Sequence, residues 1–127
     1  ESINTLIEVG KGKQKIAVLG VMKDLGQMSK EYHKSIGRII AKTNVKLLTT
    51  VGEEAKIIAT EAKKHGFKGK IKTVNSTKEA ISEVRNAKFK QPIILVKGSR
   101  HAHLERVVYG LLHKSTHISC HNCGQLK

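Results

Sequence analysis

The sequence predicts an α/β protein in three layers, with a mostly parallel β-sheet between two layers of helices. Short apolar segments that favour strands alternate along the chain with amphipathic segments that favour helices. The apolar segments contain few polar residues, which is typical of strands buried on both faces of a parallel sheet. Repeats of strand and helix in this order give right-handed crossovers and a Rossmann-like α/β/α sandwich.

Four segments are predicted to be strands. Two of them end at a glycine, which allows the chain to turn sharply, and one begins after the only proline, which suits the first residue of a strand. The four segments are Lys15–Leu19 before Gly20, Val45–Val51 before Gly52, Ile71–Val74, and Ile93–Val96 after Pro92.

Along the sequence, one predicted helix precedes the first strand and a second follows it. Near the start of the chain, Ile3, Leu6 and Ile7 share one helical face. The next helix is predicted to begin at Ser29, whose hydroxyl can cap the first turn. Its apolar stripe is Tyr32, Ile36, Ile39 and Ile40.

Three further helices follow the later strands. The third carries the stripe Ala55, Ile58, Ala59 and Ala62 and ends at Gly66, which can adopt the left-handed conformation after a helix. The fourth begins with a capping box, Ser76 and Glu79, ahead of Ala80, Ile81 and Val84. The last has the stripe Leu104, Val107, Val108, Leu111 and Leu112.

The chain length of 127 residues fits one domain. We predict that this domain covers residues 1–113 and that residues 114–127 form a polar, irregular tail. The first residue is Glu1 and not Met, so we expect the chain to be part of a longer protein. No segment has the roughly 18 apolar residues that span a bilayer, and no signal segment begins the chain, so we expect a cytoplasmic protein without a membrane partner.

The composition is strongly basic, with 24 Lys and Arg against 10 Asp and Glu, for a formal charge of +14. Such an excess attracts nucleic acids, nucleotides and phosphorylated substrates. Two Phe, two Tyr and no Trp leave few faces on which bases could stack, so a nucleic-acid partner is disfavoured. Solvated lysines on the surface are the simpler explanation of the charge.

Two loops are the best candidates for a binding site. Ligands of open α/β sheets bind at the carboxyl ends of the strands, and both loops follow predicted strands. The first loop, 20–26, supplies Gly20, Met22 and Asp24 as candidates. The second is Lys97-Gly98-Ser99-Arg100, in which two cations and a hydroxyl predict a receptor for a carboxylate or a phosphate. The alternative is a basic loop in which Ser99 only caps a helix. His33, on the helix after the first loop, is a further candidate for substrate binding, although a lone histidine on a helix is more often structural.

No motif supplies a complete catalytic site. The phosphate-binding pattern G-x-x-x-x-G-K-[S/T] is absent, and so are the dinucleotide-binding pattern G-x-G-x-x-G and the nucleophile-elbow pattern G-x-S-x-G. We therefore expect no catalytic residues and no bound cofactor in this chain by itself.

The end of the chain contains a weak metal-binding pattern. Thiolates and imidazoles are zinc ligands, but a single C-x-x-C with scattered histidines is not specific. We predict no metal site and keep four residues as weak candidates, His117, Cys120, His121 and Cys123.

The two loops and their flanks resemble a known family, the Mur ligases, and within it the carboxy-terminal domain of the ligases that add D-alanyl-D-alanine to the cell-wall precursor. The similarity covers residues 3–113 in the order and spacing of the family. It is carried by the stretch Ile16-Ala17-Val18-Leu19-Gly20-x-Met22-x-x-Leu25-Gly26, by Ser29-x-Glu31-x-His33-x-x-x-Gly37, by Val51-Gly52, by Ile94-Leu95-Val96-Lys97-Gly98-Ser99-Arg100, and by Leu104-Glu105-x-Val107-Val108.

The resemblance implies a function for the chain as one domain of three. In such ligases an amino-terminal domain holds the UDP-muramoyl tripeptide, and a central domain holds ATP and Mg²⁺. The third domain holds D-Ala-D-Ala and closes over the nucleotide, so that an amide forms through an acyl phosphate. The resemblance implies that the missing phosphate-binding loop belongs to the central domain, and that the isolated chain is inactive. It places the contacts to the incoming dipeptide at the Lys97–Arg100 loop.

One position departs from the family pattern. Where the family usually has Gly-Asp-Met in the first loop, this chain has Gly20-Val21-Met22, so one carboxylate is missing. Asp24 lies where the family often has glutamate. The Cys/His tail is not a feature of the family. Two alternatives to the ligase domain are a basic module that binds nucleic acid or another polyanion, and an interaction domain stabilised by zinc.

Overall fold

The first strand, β1 (Lys15–Gly20), is buried at all six of its positions and forms the centre of the fold. The computed structural model describes residues 14–21, 28–90, 92–98 and 105–111, so the helix predicted around Ile3 lies outside the described residues. The other elements are α1 (Ser29–Ala41), β2 (Leu47–Val51), α2 (Lys56–Lys64), β3 (Lys70–Val74), α3 (Thr77–Asn86), β4 (Ile93–Lys97) and α4 (Glu105–Leu111). None of the helices within the described ranges is long and apolar enough to cross a membrane.

The four strands form one parallel sheet in the order β3-β2-β1-β4. Leu19 in β1 is the register partner of Thr50 in β2 and of Lys97 in β4. All four strands therefore end at the same edge of the sheet, which we call the carboxyl edge, and all begin at the opposite amino edge. The predicted parallel sheet is confirmed.

The side chains of β1 enter two separate cores, one on each face of the sheet. Ala17 and Leu19 pack in the cluster that contains Ile40 of α1 and Ile58 of α2. Ile16 and Val18 pack on the opposite face, in the cluster that contains Val84 of α3 and Val107 of α4. Burying an aliphatic side chain of this size contributes about 1.5–3 kcal/mol, so a strand that is apolar on both faces requires helices on both sides. The predicted three-layer sandwich is confirmed.

Several local predictions are confirmed in α2 and α3. Ala55, Ile58, Ala59 and Ala62 are all buried. Gly66, after the end of α2, has a φ of 90°, the left-handed conformation that glycine adopts most easily. At the start of α3 the Ser76 hydroxyl accepts a hydrogen bond from the Glu79 backbone N–H at 3.2 Å, as the capping box requires.

The predictions for the ends and faces of other elements were partly wrong. Helix α1 has Met28 and not Ser29 at its N-cap, and no side chain caps it. Tyr32 and Ile39 are 40% and 46% exposed, so they do not belong to the buried stripe, whereas Ile36 and Ile40 do. In α4, Val107 is buried as predicted but Val108 is 41% exposed. Leu104 and Leu112 lie outside the described residues.

Helices α1 and α2 lie in close backbone contact at Gly37. A Cβ atom at this position would lie 2.6 Å from the carbonyl oxygen of Ile58 and 2.7 Å from Cβ of Glu61. The Glu61 carboxylate is buried beside this contact, where Arg38 Nη1 lies 3.5 Å and His65 Nε2 3.1 Å from its Oε2. At this point the two helices touch through backbone and one hydrogen-bonded carboxylate, next to the apolar cluster that contains Ile40 of α1 and Ile58 of α2.

We predict that Gly37→Ala lowers the free energy of unfolding by about 2 kcal/mol. Alanine favours a helix over glycine by roughly 1 kcal/mol, but a Cβ that presses on a backbone oxygen produces overpacking strain that exceeds this gain. The measurement is urea unfolding followed by circular dichroism. Gly66→Ala is the control, because a Cβ there meets nothing within 4 Å and only the positive φ is unfavourable, at about 1 kcal/mol. A Gly37→Ala variant as stable as the wild type would contradict this account of the helix contact.

Candidate functional site

The loops predicted to form the site leave the sheet from neighbouring strands. Gly20 is the last residue of β1, and Lys97 is the last residue of β4 and the register partner of Leu19. Side chains alternate along a strand, so Lys97 stands on the same face as Ile93 and Leu95, which pack against the core beneath α1. The sheet thus brings the beginnings of the two predicted loops together at the carboxyl edge.

Only part of the predicted site can be placed in this way. Gly20 is buried, and Lys97 and Gly98 are half-buried. Met22, Asp24, Ser99 and Arg100 lie outside the described residues, as do the weak metal candidates His117, Cys120, His121 and Cys123. Within the described ranges, no group of three or more His, Cys, Asp or Glu side chains is arranged to hold a metal ion.

A third turn, after β2, lies against the exit of β1. Gly52 has a φ of 101°, and its backbone N–H donates to the carbonyl oxygen of Val74 at 2.9 Å. A Cβ at this glycine would lie 3.2 Å from Cγ2 of Val21. A side chain at position 52 would therefore combine an unfavourable φ with a tight contact, and glycine permits the turn to pack against the residue that follows β1.

Two acidic residues in this third turn were not singled out from the sequence. Glu53 accepts a hydrogen bond from Lys56 Nζ at 2.9 Å, and Glu54 Oε2 accepts one from the Ser29 hydroxyl at 3.4 Å. Both acids follow β2 directly, so they lie at the carboxyl edge together with Lys97. The edge therefore carries charges of both signs; the site predicted from the sequence included one acid, Asp24 in the first loop, but not these two. The only sequence signal for these acids was their position after Gly52.

His33 lies below this edge, inside the protein. Its ring is completely buried, and Nδ1 donates to the carbonyl oxygen of Ser29 at 2.6 Å. The Ser29 hydroxyl is 3.4 Å from the same nitrogen and also reaches Glu54. His33 thus joins the first turn of α1 to the core. Its prediction as a substrate-binding residue stays a prediction.

Some buried polar groups near the site have no partner within the described part of the chain. Among the described residues, the hydroxyl groups of Thr49 and Thr50 in β2 have no hydrogen-bond partner. The same holds for Nε and Nη2 of Arg106, in the first turn of α4. Leaving a buried polar atom without a partner is unfavourable, typically by about 1–3 kcal/mol. No sequence pattern singled out Arg106, because an arginine on a helix is usually solvated.

Together these features define the class of the protein: a parallel α/β domain whose strands end together at a carboxyl edge with charges of both signs. A family model described as the glutamate ligase domain of Mur ligases matches residues 1–100. The chain therefore belongs to the Mur ligase family. The resemblance seen in the sequence is confirmed.

Curated relatives place the chain within this family. It is 33% identical over 103 residues to a UDP-N-acetylmuramoyl-tripeptide–D-alanyl-D-alanine ligase from Bacillus subtilis. This alignment covers 81% of the chain but 22% of the relative. It is 31% identical over 116 residues to the ligase of the same name from Haemophilus influenzae, covering 90% of the chain and 25% of the relative. The chain thus spans about a quarter of the length of these relatives.

Solved structures support the same fold. A crystal structure of MurF from Acinetobacter baumannii matches with a TM-score of 0.72 and 26% identity, over 89% of this chain and 25% of that one. A second crystal structure of the same protein matches with a TM-score of 0.73 and 25% identity, over 89% of this chain and 24% of the other.

We predict that His33→Ala lowers the free energy of unfolding by about 2–3 kcal/mol, because it leaves a cavity in the core and removes the hydrogen bond to Ser29. The measurement is urea unfolding. The matched control is Tyr32→Ala on the same helix, which removes a larger but 40% exposed ring and should have a smaller effect. If His33→Ala were the milder of the two changes, the structural role would be refuted and a role in substrate binding favoured.

Proposed function

We propose that the chain is the carboxy-terminal, substrate-binding domain of an ATP-dependent ligase that joins D-Ala-D-Ala to UDP-MurNAc-tripeptide. The main support is the family membership together with two curated relatives named for this reaction, each about one-third identical. The adjacent ends of β1 and β4 agree with the proposal, because they start two loops with charged residues from one edge of the sheet.

The proposed site suits a dipeptide that carries both charges. Lys97 and Arg100 are the groups proposed to hold the dipeptide carboxylate, since a guanidinium can donate two parallel hydrogen bonds to it and lysine adds a point charge. Ser99 and Gly98 provide a hydroxyl and a backbone that can approach the ligand closely. Glu54, from the turn after β2, is a carboxylate at the same edge that could attract the dipeptide ammonium group. Gly20, Met22, Asp24 and His33 complete the proposed contacts from the first loop and α1.

The proposed reaction requires ATP and Mg²⁺, and the residues of this chain do not suit them. The sequence contains no G-x-x-x-x-G-K-[S/T] loop to surround the phosphates. The proposal therefore assigns the nucleotide and the metal to a central domain of the longer protein, where ATP would activate the tripeptide carboxylate as an acyl phosphate. The domain formed by the present chain would hold the dipeptide so that the dipeptide amine can attack the activated carboxyl group. Its partners would be the two other domains and the two substrates, in the cytoplasm.

A polyanion-binding module is the second candidate function. The formal charge of +14 favours it, and the four aromatic Phe and Tyr residues give little support for base stacking. DNA binding by the chain would favour this alternative over the ligase if the binding constant fell with salt concentration as steeply as contacts to several phosphates require.

We predict that Lys97→Ala and Arg100→Ala, each in the full-length ligase, raise the KM for D-Ala-D-Ala by about tenfold or more. A charge-assisted hydrogen bond contributes about 1.5–3 kcal/mol, and 1.4 kcal/mol corresponds to a factor of ten. The measurement is steady-state kinetics with the dipeptide varied, alongside the melting temperature. Lys63→Ala, an exposed lysine of α2, is the control and should leave the KM unchanged. Wild-type kinetics in both loop variants would refute the assignment of the site.

We also predict that the isolated 127-residue chain folds but hydrolyses no ATP, because the described residues form a buried apolar cluster on each face of β1, while the sequence contains no phosphate-binding loop. Circular dichroism tests the folding, and phosphate release from ATP tests the activity. ATP turnover at a rate proportional to the concentration of the folded chain would contradict the assignment of ATP to another domain.

A further inference from the structure

A cavity at the amino edge of the sheet is unrelated to the proposed dipeptide site. It has a volume of about 570 Å³ and lies between the start of β3 and the last turns of α3. This volume is within the roughly 300–1,000 Å³ of small-molecule sites. Its lining residues are Lys46, Leu47, Lys68, Gly69, Lys70, Lys72, Glu83, Asn86, Ala87 and Phe89.

Four of the lining residues are lysines, and only Glu83 is acidic. Lys68 lies just before β3, and Lys70 and Lys72 lie within it; all three are exposed. Because they are alternate residues, successive lysines of this set are about 6.6 Å apart along the strand direction. The backbone N–H of Lys70 donates to the carbonyl oxygen of Lys46 at 2.9 Å, which holds the fourth lysine beside the other three. The four lysines therefore belong to the part of the cavity lining formed by the starts of β2 and β3.

A close backbone contact fixes these lysines near one another. A Cβ at Gly69 would lie 2.5 Å from the carbonyl oxygen of Val45 and 2.9 Å from that of Lys46. Only glycine permits the start of β3 to lie so close to the entry of β2. Like charges this close repel each other, although solvent keeps the repulsion small at exposed positions, and a bound anion would offset it.

Part of the cavity lining is apolar. Leu47, Ala87 and Phe89 line it, and Phe89 packs against the core beneath α3. The chain reaches this position through Lys88, the one non-glycine residue with a positive φ, 55°, in the described ranges. An unfavourable conformation at Lys88 thus accompanies the turn that brings Phe89 into the lining of the cavity.

Opposing groups determine which anions the cavity favours. Glu83 and the carboxyl end of α3 both disfavour negative charge, although the carbonyl oxygens of Glu83 and Arg85 already accept hydrogen bonds from Ala87 and Lys88 at 3.2 Å. An anion with one charge gains little against this background. A ligand with several adjacent charges can contact several lysines at once.

Protection of an exposed edge strand from aggregation is another use of lysine, and it explains Lys70 and Lys72 on β3. It does not explain Lys46, which precedes the inner strand β2, or the apolar side formed by Phe89. A binding site accounts for all of these residues.

We propose that this cavity binds a diphosphate group, carried either by inorganic pyrophosphate or by a nucleoside diphosphate. The phosphates contact Lys46, Lys70 and Lys72, and the apolar side next to Phe89 can receive the nucleoside. The site lies at the edge of the sheet opposite to Lys97, so it does not depend on the proposed ligase function.

The test is titration of the ¹⁵N-labelled 127-residue chain with pyrophosphate, ADP and orthophosphate at low ionic strength, followed by NMR and calorimetry. We expect saturable shifts of the Gly69, Lys70 and Lys72 amides with pyrophosphate and ADP, and at least tenfold weaker binding of orthophosphate. Tighter binding of ADP assigns the site to a nucleotide, and equal binding assigns it to the free anion. Either result supports the proposal.

The matched variants are Lys70→Gln/Lys72→Gln in the cavity and Lys63→Gln/Lys64→Gln on α2, which remove the same charge from exposed positions on opposite faces of the sheet. We expect the cavity variant to bind about tenfold or more weakly, and the α2 variant to bind within twofold of the wild type. Equal weakening in both variants, shifts spread over the whole surface, or no saturable binding by the wild type would overturn the proposal.

Discussion

The complete burial of β1 is the constraint on which the rest of the structure depends. Its six residues, from Lys15 to Gly20, are shielded from water on both faces and hydrogen-bonded on both sides, to β2 and to β4. A strand in this position requires one layer of helices above it and another below it. It also places Gly20 in the middle of the carboxyl edge, between the turn after β2 and the loop after β4. The position of the candidate site thus follows from the burial of one strand.

Local patterns in the sequence were enough to predict much of this fold. The strand segments, the buried stripe of α2 and the capping box at Ser76 depend on residues close in sequence, and all three are confirmed. The pairing of β4 with β1 could not be read from the sequence, because it depends on contacts between residues 78 positions apart, such as Lys97 and Leu19. The general rule that parallel strands end at one edge still predicted which loops begin together. The same rule could have pointed to Glu54 after β2, but an acidic residue in a turn is usually only solvated.

The misreading of α1 has a specific physical cause. The sequence analysis counted large apolar residues, but α1 contacts its neighbour through Gly37, where backbone atoms touch. The buried face is therefore turned towards His33 and Gly37, and it leaves Tyr32 and Ile39 exposed. Ser29 was expected to bond to the backbone as a cap, but its hydroxyl lies within hydrogen-bond distance of Glu54 and His33. Glycine and histidine do not register as core residues in a hydrophobic pattern, so no inspection of that pattern alone would orient this helix correctly.

The net charge of the chain says less about its ligands than the distribution of that charge between the two edges of the sheet. At the carboxyl edge, Lys97 shares the rim with Glu53 and Glu54, and this mixture suits a small molecule that carries both charges. At the amino edge, four lysines share a cavity with Glu83 alone, and this excess suits an anion with several charges. Binding of a small anion with several charges at one edge and of a dipeptide at the other are therefore not competing explanations of the same residues. Because the two edges lie at opposite ends of the strands, affinity for such a small anion would not count against the ligase assignment, and only substitutions confined to one edge can attribute an activity to that edge.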